Sequence, residues 1–90
     1  MVTPNPIEKE RIALKLDTFR FVAEAHIELL QNDPLLREQL NLRMQIVQGY
    51  LNELDHWENW GNQVSYNSAL DSAKFALLRV KDLIDQILDQ

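Results

Sequence analysis

Cysteine is absent from this chain of 90 residues, which also contains only two glycines and three prolines. Without cysteine the protein can form neither a disulfide bond nor a thiolate metal site. The scarcity of glycine and proline leaves little room for loops, because these residues are the commonest breaks between regular elements. These absences favour a short, regular fold without covalent cross-links.

Long hydrophobic runs and basic charge are also scarce. No segment approaches the roughly 18 uninterrupted apolar residues of a membrane span. The opening stretch MVTPNPIEKE has neither the basic start nor the apolar stretch of a secretion signal. The 9 basic residues face 14 acidic ones, for a net charge of -5, whereas nucleic-acid binders concentrate Lys and Arg. We therefore expect a soluble cytoplasmic protein that binds neither nucleic acid nor membranes.

The prolines stand where helices begin. Asn5-Pro6 and Asp33-Pro34 each place a capping side chain before a proline at the first helical position. Gly61 is typical of the left-handed residue just past a helix end. These signals predict three helices, from Pro6 to about Gln31, from Pro34 to about Trp60, and from between Asn62 and Ser68 to the C-terminus.

The composition, 46% hydrophobic and 26% charged, has the balance of a globular protein, and the length suits one domain. No run shows the period-two alternation of a strand. Short connections force neighbouring helices to be antiparallel. We therefore expect one all-α domain over residues 1–90, folded as an antiparallel up-down-up three-helix bundle.

The first helix carries apolar residues on more than one face. The third helix carries a single stripe, from Leu70 to Ile87, as a core face requires. The first helix adds Leu14, Phe21 and Ala25 outside its own core face. Two neighbours within one chain do not cover that much surface, and exposed apolar patches commonly mark interfaces. The pattern predicts a homodimer with the first helix, assisted by the second, at a two-fold interface.

Two further apolar pairs are candidate contacts. Trp57 and Trp60, at the end of the second helix, either close the open end of the bundle or form a binding groove, because tryptophan is frequent at binding hot spots. Phe75 and Leu78 are neighbours on the otherwise polar side of the third helix. Both pairs are therefore predicted contacts for a partner.

Glu53 and His56 form a Glu-x-x-His spacing that resembles the metal-binding element of ferritin-like carboxylate proteins. The resemblance implies a site for paired metal ions, which in those proteins also needs a second such element or further inward-facing glutamates. Here both residues lie on the side of the second helix away from its core face. A solvated surface is the prediction, and a metal would enter only at a subunit junction.

His26 lies on the core side of the first helix, so we expect it to be packed and hydrogen bonded to Asp33 or Gln39. Arg20 and His26, with five residues between them, resemble the Arg-x(4-6)-His element of HEPN nucleases, which are small helical dimers. The resemblance implies that this pair attacks an RNA backbone. The chain departs from that pattern because the pair is on the first helix, with side chains about 120° apart.

The remaining residues supply no nucleophile with its base, no phosphate-binding glycine loop and no pair of buried acids. We therefore expect a non-enzymatic helical module, without cofactor or metal, that self-associates and binds another protein as an adaptor, regulator or assembly subunit. A HEPN-like ribonuclease and a metal-binding protein are the alternatives. The predicted interface residues are Leu14, Phe21, Ala25, Trp57, Trp60, Phe75 and Leu78.

Overall fold

The computed structural model describes the whole chain, residues 1–90, as helices joined by short turns, with no strand. The helices in chain order are α1 (Pro6–Ala25), α2 (Ile27–Gln31), α3 (Pro34–Trp60) and α4 (Gln63–Leu88). The prediction of an all-α fold is confirmed. None of these helices combines the length and the apolar character that crossing a lipid bilayer requires.

The starts of α1 and α3 lie where the sequence predicts them. The Asn5 side chain accepts a hydrogen bond from the Glu8 N–H, and the Asp33 side chain accepts one from the Leu36 N–H, each at 3.2 Å. Each capping residue is followed by a proline, which has no N–H to leave unpaired. The caps therefore supply acceptors to N–H groups that a helix start leaves without a partner.

A turn of two residues connects α3 to α4. Gly61 has a φ of 70°, a left-handed conformation that costs free energy for any residue with a Cβ. Asn62 then caps α4, because its side chain accepts a hydrogen bond of 3.0 Å from the Ser65 N–H. The helix thus begins at the earliest point of the predicted range from Asn62 to Ser68, and α3 and α4 form a tight hairpin.

The predicted first helix is interrupted, so the expectation of one helix from Pro6 to Gln31 is wrong at His26. The backbone there leaves the helical region, with φ -114° and ψ 30°. A carbonyl oxygen only accepts, so the imidazole Nδ1–H donates the 2.8 Å hydrogen bond to Val22 O. The same oxygen also accepts the His26 N–H at 3.1 Å, and α2 begins after His26 as a separate short helix.

The direction of α1 follows from its polar contacts. Lys9 pairs with Asp55 near the end of α3, and the Arg20 guanidinium donates to Gln48 Oε1 nearer its start. α1 is thus antiparallel to α3 and parallel to α4. The contact between α3 and α4 is the most extensive, and α1 packs along α4 more than along α3. The molecule is elongated, with extents of 48 × 21 × 15 Å.

The core is entirely apolar, and the hairpin supplies most of it. The buried residues of α3 are Leu36, Leu40, Met44, Val47, Leu51 and Leu54. Those of α4 are Tyr66, Ala69, Leu70, Ala73, Leu77, Val80, Ile84 and Ile87. α1 buries only Ile12, Leu16 and Ala23 of its 20 residues, so much of its apolar surface lies outside the core.

The segment before α1 is fixed to the start of α4. Val2 is buried, the Thr3 N–H donates to Gln63 Oε1 at 2.6 Å, and the Asn5 N–H donates to the Tyr66 hydroxyl at 2.9 Å. Tyr66 is itself buried, so its hydroxyl has a fixed position. The N-terminus therefore lies at the same end of the molecule as the turn between α3 and α4.

Candidate functional site

The outer face of α1, opposite its buried residues, alternates apolar and acidic side chains. Leu14 is 58% exposed and Phe21 is 72% exposed. We call this face the α1 ridge. Its members follow 3-4-3-4-3 spacing and are all exposed: Ile7, Glu10, Leu14, Asp17, Phe21 and Glu24. Ala25, the third α1 residue predicted at an interface, is exposed at the end of the same helix.

Phe75 and Leu78 lie on α4 beside this helix, 71% and 56% exposed. α1 and α4 run parallel, with Asn5 bonded to Tyr66 at a sequence separation of 61. Leu14 and Phe75 have the same separation, so they lie at the same height along the two helices. The structure thus brings Leu14 level with the Phe75 and Leu78 pair, whereas Phe21 lies two helical turns farther along.

A cavity of about 240 Å³, the α1–α4 groove, separates these two helices on the surface. Its lining consists of Lys15, Thr18, Phe19, Leu77, Leu78 and Lys81. The Lys81 ammonium donates a 3.0 Å hydrogen bond to Asp85, which raises the pKa of Lys81. Leu77 and the half-buried Phe19 provide apolar surface in the groove, and two lysines line it as well.

The two tryptophans have different environments. Trp57 is half buried and packs on the core, whereas Trp60 is 74% exposed. The His56 ring lies 4.8 Å from the Trp57 ring, edge to face, and 5.8 Å from the Trp60 ring. The indoles therefore do not close the end of the molecule together. Trp60 presents an open ring beside the turn, as does the exposed Val64 after it.

The Glu-x-x-His pair lies on the exposed surface of α3. Glu53 lines a cavity of about 200 Å³ together with Tyr50 and serines of α4, while His56 contacts the tryptophan rings. No three His, Asp or Glu side chains of the chain are grouped so that they could hold a metal ion. A metal at this pair would need ligands from another molecule.

Arg20 and His26 do not converge. The Arg20 guanidinium lies 3.5 Å from Asp17 and 3.5 Å from Gln48, and His26 does not line the cavity of about 290 Å³ that Arg20 borders. His26 is half buried and bonds to the Val22 carbonyl rather than to Asp33 or Gln39 as expected. The geometry of the pair does not support the resemblance to HEPN nucleases.

One surface has no counterpart in the sequence pattern. A cavity of about 460 Å³ between α3 and α4, the α3–α4 groove, is bordered by Leu42, Leu83, Arg43 and Arg79. Gln39, Asp82 and Gln86 complete its lining. The sequence gives one sign of this groove: no acid stands three or four residues from Arg43, so that arginine has no partner on its own helix. Its position beside Arg79 depends on the pairing of α3 with α4.

The α1 ridge and the two grooves are the features of this molecule from which a function can be inferred. None of them combines a nucleophile, a base and an oxyanion donor as acyl or phosphoryl transfer requires. No family model matches the chain, and neither curated proteins nor solved structures show a significant similarity to it.

Proposed function

We propose that this chain is a non-enzymatic helical interaction module that self-associates through the outer face of α1 and binds another protein as an adaptor, regulator or assembly subunit. In this proposal α1 and α2 act together as one bent arm, so that the chain is an up-down-up three-helix bundle. The observation that carries the proposal is the exposure of Leu14, Phe21, Phe75 and Leu78 on adjacent helices, each more than half accessible.

Burial of these side chains would contribute free energy to association. Each large apolar side chain contributes roughly 1.5 to 3 kcal/mol when it is fully buried, although the cost of immobilising two molecules offsets part of the sum. A stable interface covers about 800 Å² per partner. That is about an eighth of the 6148 Å² accessible surface of this chain. The contact would extend along α1, whose 20 residues are about 30 Å long.

The experiment is a measurement of molar mass by light scattering during size-exclusion chromatography, at several micromolar concentrations. We expect the full chain to elute as a homodimer or larger species, and the double variant Leu14→Glu/Phe21→Glu to elute as a folded monomer. Val64→Glu is the matched control, because Val64 is as exposed as Phe21 but lies beside the turn between α3 and α4.

The expected result for the control is the mass of the wild type. A wild-type chain that remains monomeric at every concentration contradicts the proposal. So does a Leu14→Glu/Phe21→Glu variant that keeps the wild-type mass, since the outer face of α1 would then lie outside the contact.

A further inference from the structure

The α1 ridge and the α3–α4 groove have complementary chemistry. The ridge alternates apolar and acidic side chains, and the groove places Leu42 and Leu83 beside Arg43 and Arg79. Neither arginine has an acidic partner within the chain. Asp82 is the one acid in the lining, so the groove has a positive balance on a chain of net charge -5. A carboxylate that enters it gains charge-assisted hydrogen bonds.

These two surfaces face in opposite directions. α1 covers one face of the hairpin, where Lys9 and Arg20 reach Asp55 and Gln48 of α3. The groove lies on the other face, since no residue of α1 or α2 lines it. The ridge points away from the hairpin because it is opposite the buried residues of α1. Ridge and groove of one chain therefore cannot meet, whereas those of two chains can.

Contact between two α1 ridges opposes like charges when the helices pair about Asp17, whose one ion pair within the chain is with Arg20 at 3.5 Å. An antiparallel two-fold pairing centred on Asp17 sets that residue against its own copy and Glu10 against Glu24. Opposed like charges are a common device against wrong pairing. The acidic members of the ridge thus disfavour the same ridge and favour a basic surface.

We propose that one copy seats its α1 ridge in the α3–α4 groove of the next, with Leu14 and Phe21 against Leu42 and Leu83. In this contact Asp17 approaches Arg43 and Arg79. The inference rests on the proposed self-association and gives it a geometry other than a two-fold pairing of α1 with α1.

The contact has a consequence for assembly size. It joins two different surfaces, so each dimer keeps one free ridge and one free groove, and further copies add in a row. The average molar mass then rises with concentration and does not stop at two chains.

The test uses sedimentation velocity on the full chain and on two variants. The ridge variant carries Leu14→Lys and Phe21→Lys, and the groove variant carries Arg43→Glu and Arg79→Glu. All four positions are exposed, so the fold should persist, and circular dichroism checks it. We expect each variant alone to associate at least tenfold more weakly than the wild type.

An equimolar mixture of the two variants separates the geometries. The intact groove of the ridge variant and the intact ridge of the groove variant can form one contact, so we expect a heterodimer that does not grow with concentration. Arg37→Glu is the control for the Arg43→Glu half of the groove variant, because it makes the same single charge reversal on α3 outside the α3–α4 groove. It should assemble like the wild type.

Three outcomes overturn the inference, and they differ from one another. A groove variant with the wild-type mass means that α1 pairs elsewhere, while self-association itself stands. Folded variants that fail to form the heterodimer exclude the contact between ridge and groove. A monomeric wild type removes the proposed self-association and this geometry with it.

Discussion

The α3–α4 hairpin buries its apolar side chains more completely than the α1–α2 arm does. The hairpin buries 6 residues of α3 and 8 of α4, and its turn uses one glycine and one capping asparagine. The arm is broken at His26 and buries 3 residues of α1 and 1 of α2. Burial in the hairpin therefore provides most of the stability, while the arm keeps exposed apolar side chains that are available for contact with other molecules.

The largest expected effect comes from the buried core of the hairpin. Leu54 is fully buried, so Leu54→Ala should lower the free energy of unfolding by about 2 to 5 kcal/mol, through lost burial and a cavity. Phe21→Ala on the arm is the contrast, and for the monomer it should cost less than about 0.5 kcal/mol. Urea denaturation at low protein concentration measures both. Equal losses of unfolding free energy in the two variants would contradict the conclusion that the hairpin provides most of the stability.

The two glycines of the hairpin should respond in opposite directions. Gly61→Ala forces a Cβ onto a φ of 70° and should cost about 1 to 2 kcal/mol. Gly49 is in the interior of α3, and a Cβ there meets nothing within 4 Å. Gly49→Ala should therefore stabilise the protein by about 0.5 to 1 kcal/mol. Thermal unfolding of the two variants side by side tests the turn geometry, and a neutral Gly61→Ala would refute it.

The attachment of the arm to the hairpin can be weakened at Tyr66. Tyr66→Phe removes the acceptor of the Asn5 N–H but keeps the buried ring, so we expect a loss of about 0.5 to 1.5 kcal/mol. Hydrogen exchange should show faster exchange of the Asn5 amide than in the wild type. Tyr50→Phe is a matched control, because the Tyr50 hydroxyl bonds to no protein group in the structure. Unchanged exchange in Tyr66→Phe would mean that Val2 and the hydrogen bond between Thr3 and Gln63 hold the segment without Tyr66.

The smallest effect concerns pH. The hydrogen bond and the charge of Asp85 raise the pKa of Lys81 above its ordinary 10.5. Because the folded state holds this proton more tightly, the stabilisation is present below pH 10.5 and is lost as pH rises through the raised pKa. Titration of the Lys81 side chain by NMR should show a lower pKa in Asp85→Asn. An identical pKa in both proteins would exclude the interaction.

Local rules in the sequence predict the hairpin well. Asp33-Pro34 and Gly61 mark both ends of α3, because a cap, a proline and a left-handed glycine act through their immediate neighbours. The same rules fail at His26, where the helix is interrupted although no breaker residue stands there, and where the side chain bonds to the Val22 carbonyl. That side-chain hydrogen bond depends on a ring orientation that hydrophobic spacing does not encode.

Some features of the candidate surfaces also follow from local sequence patterns, whereas others depend on how the helices pack. The exposure of Leu14 and Phe21 follows from counting apolar positions on one helix, and the structure places both on the outside. Arg43 and Arg79 border the same groove only because of the register of α3 against α4, which no local pattern supplies. The contrast between Trp57 and Trp60 is also a matter of packing, because both have similar directions on an ideal helix.

The parallel course of α1 and α4 separates the two chain ends. The N-terminus is held beside Gln63, and the C-terminus follows α4 away from that point for 26 residues, about 39 Å. Groups attached at the two ends are therefore held about 39 Å apart at their points of attachment. Energy transfer between dyes at positions 1 and 90 would report an intact rod directly, and a circular permutant would need a bridging peptide of more than ten residues.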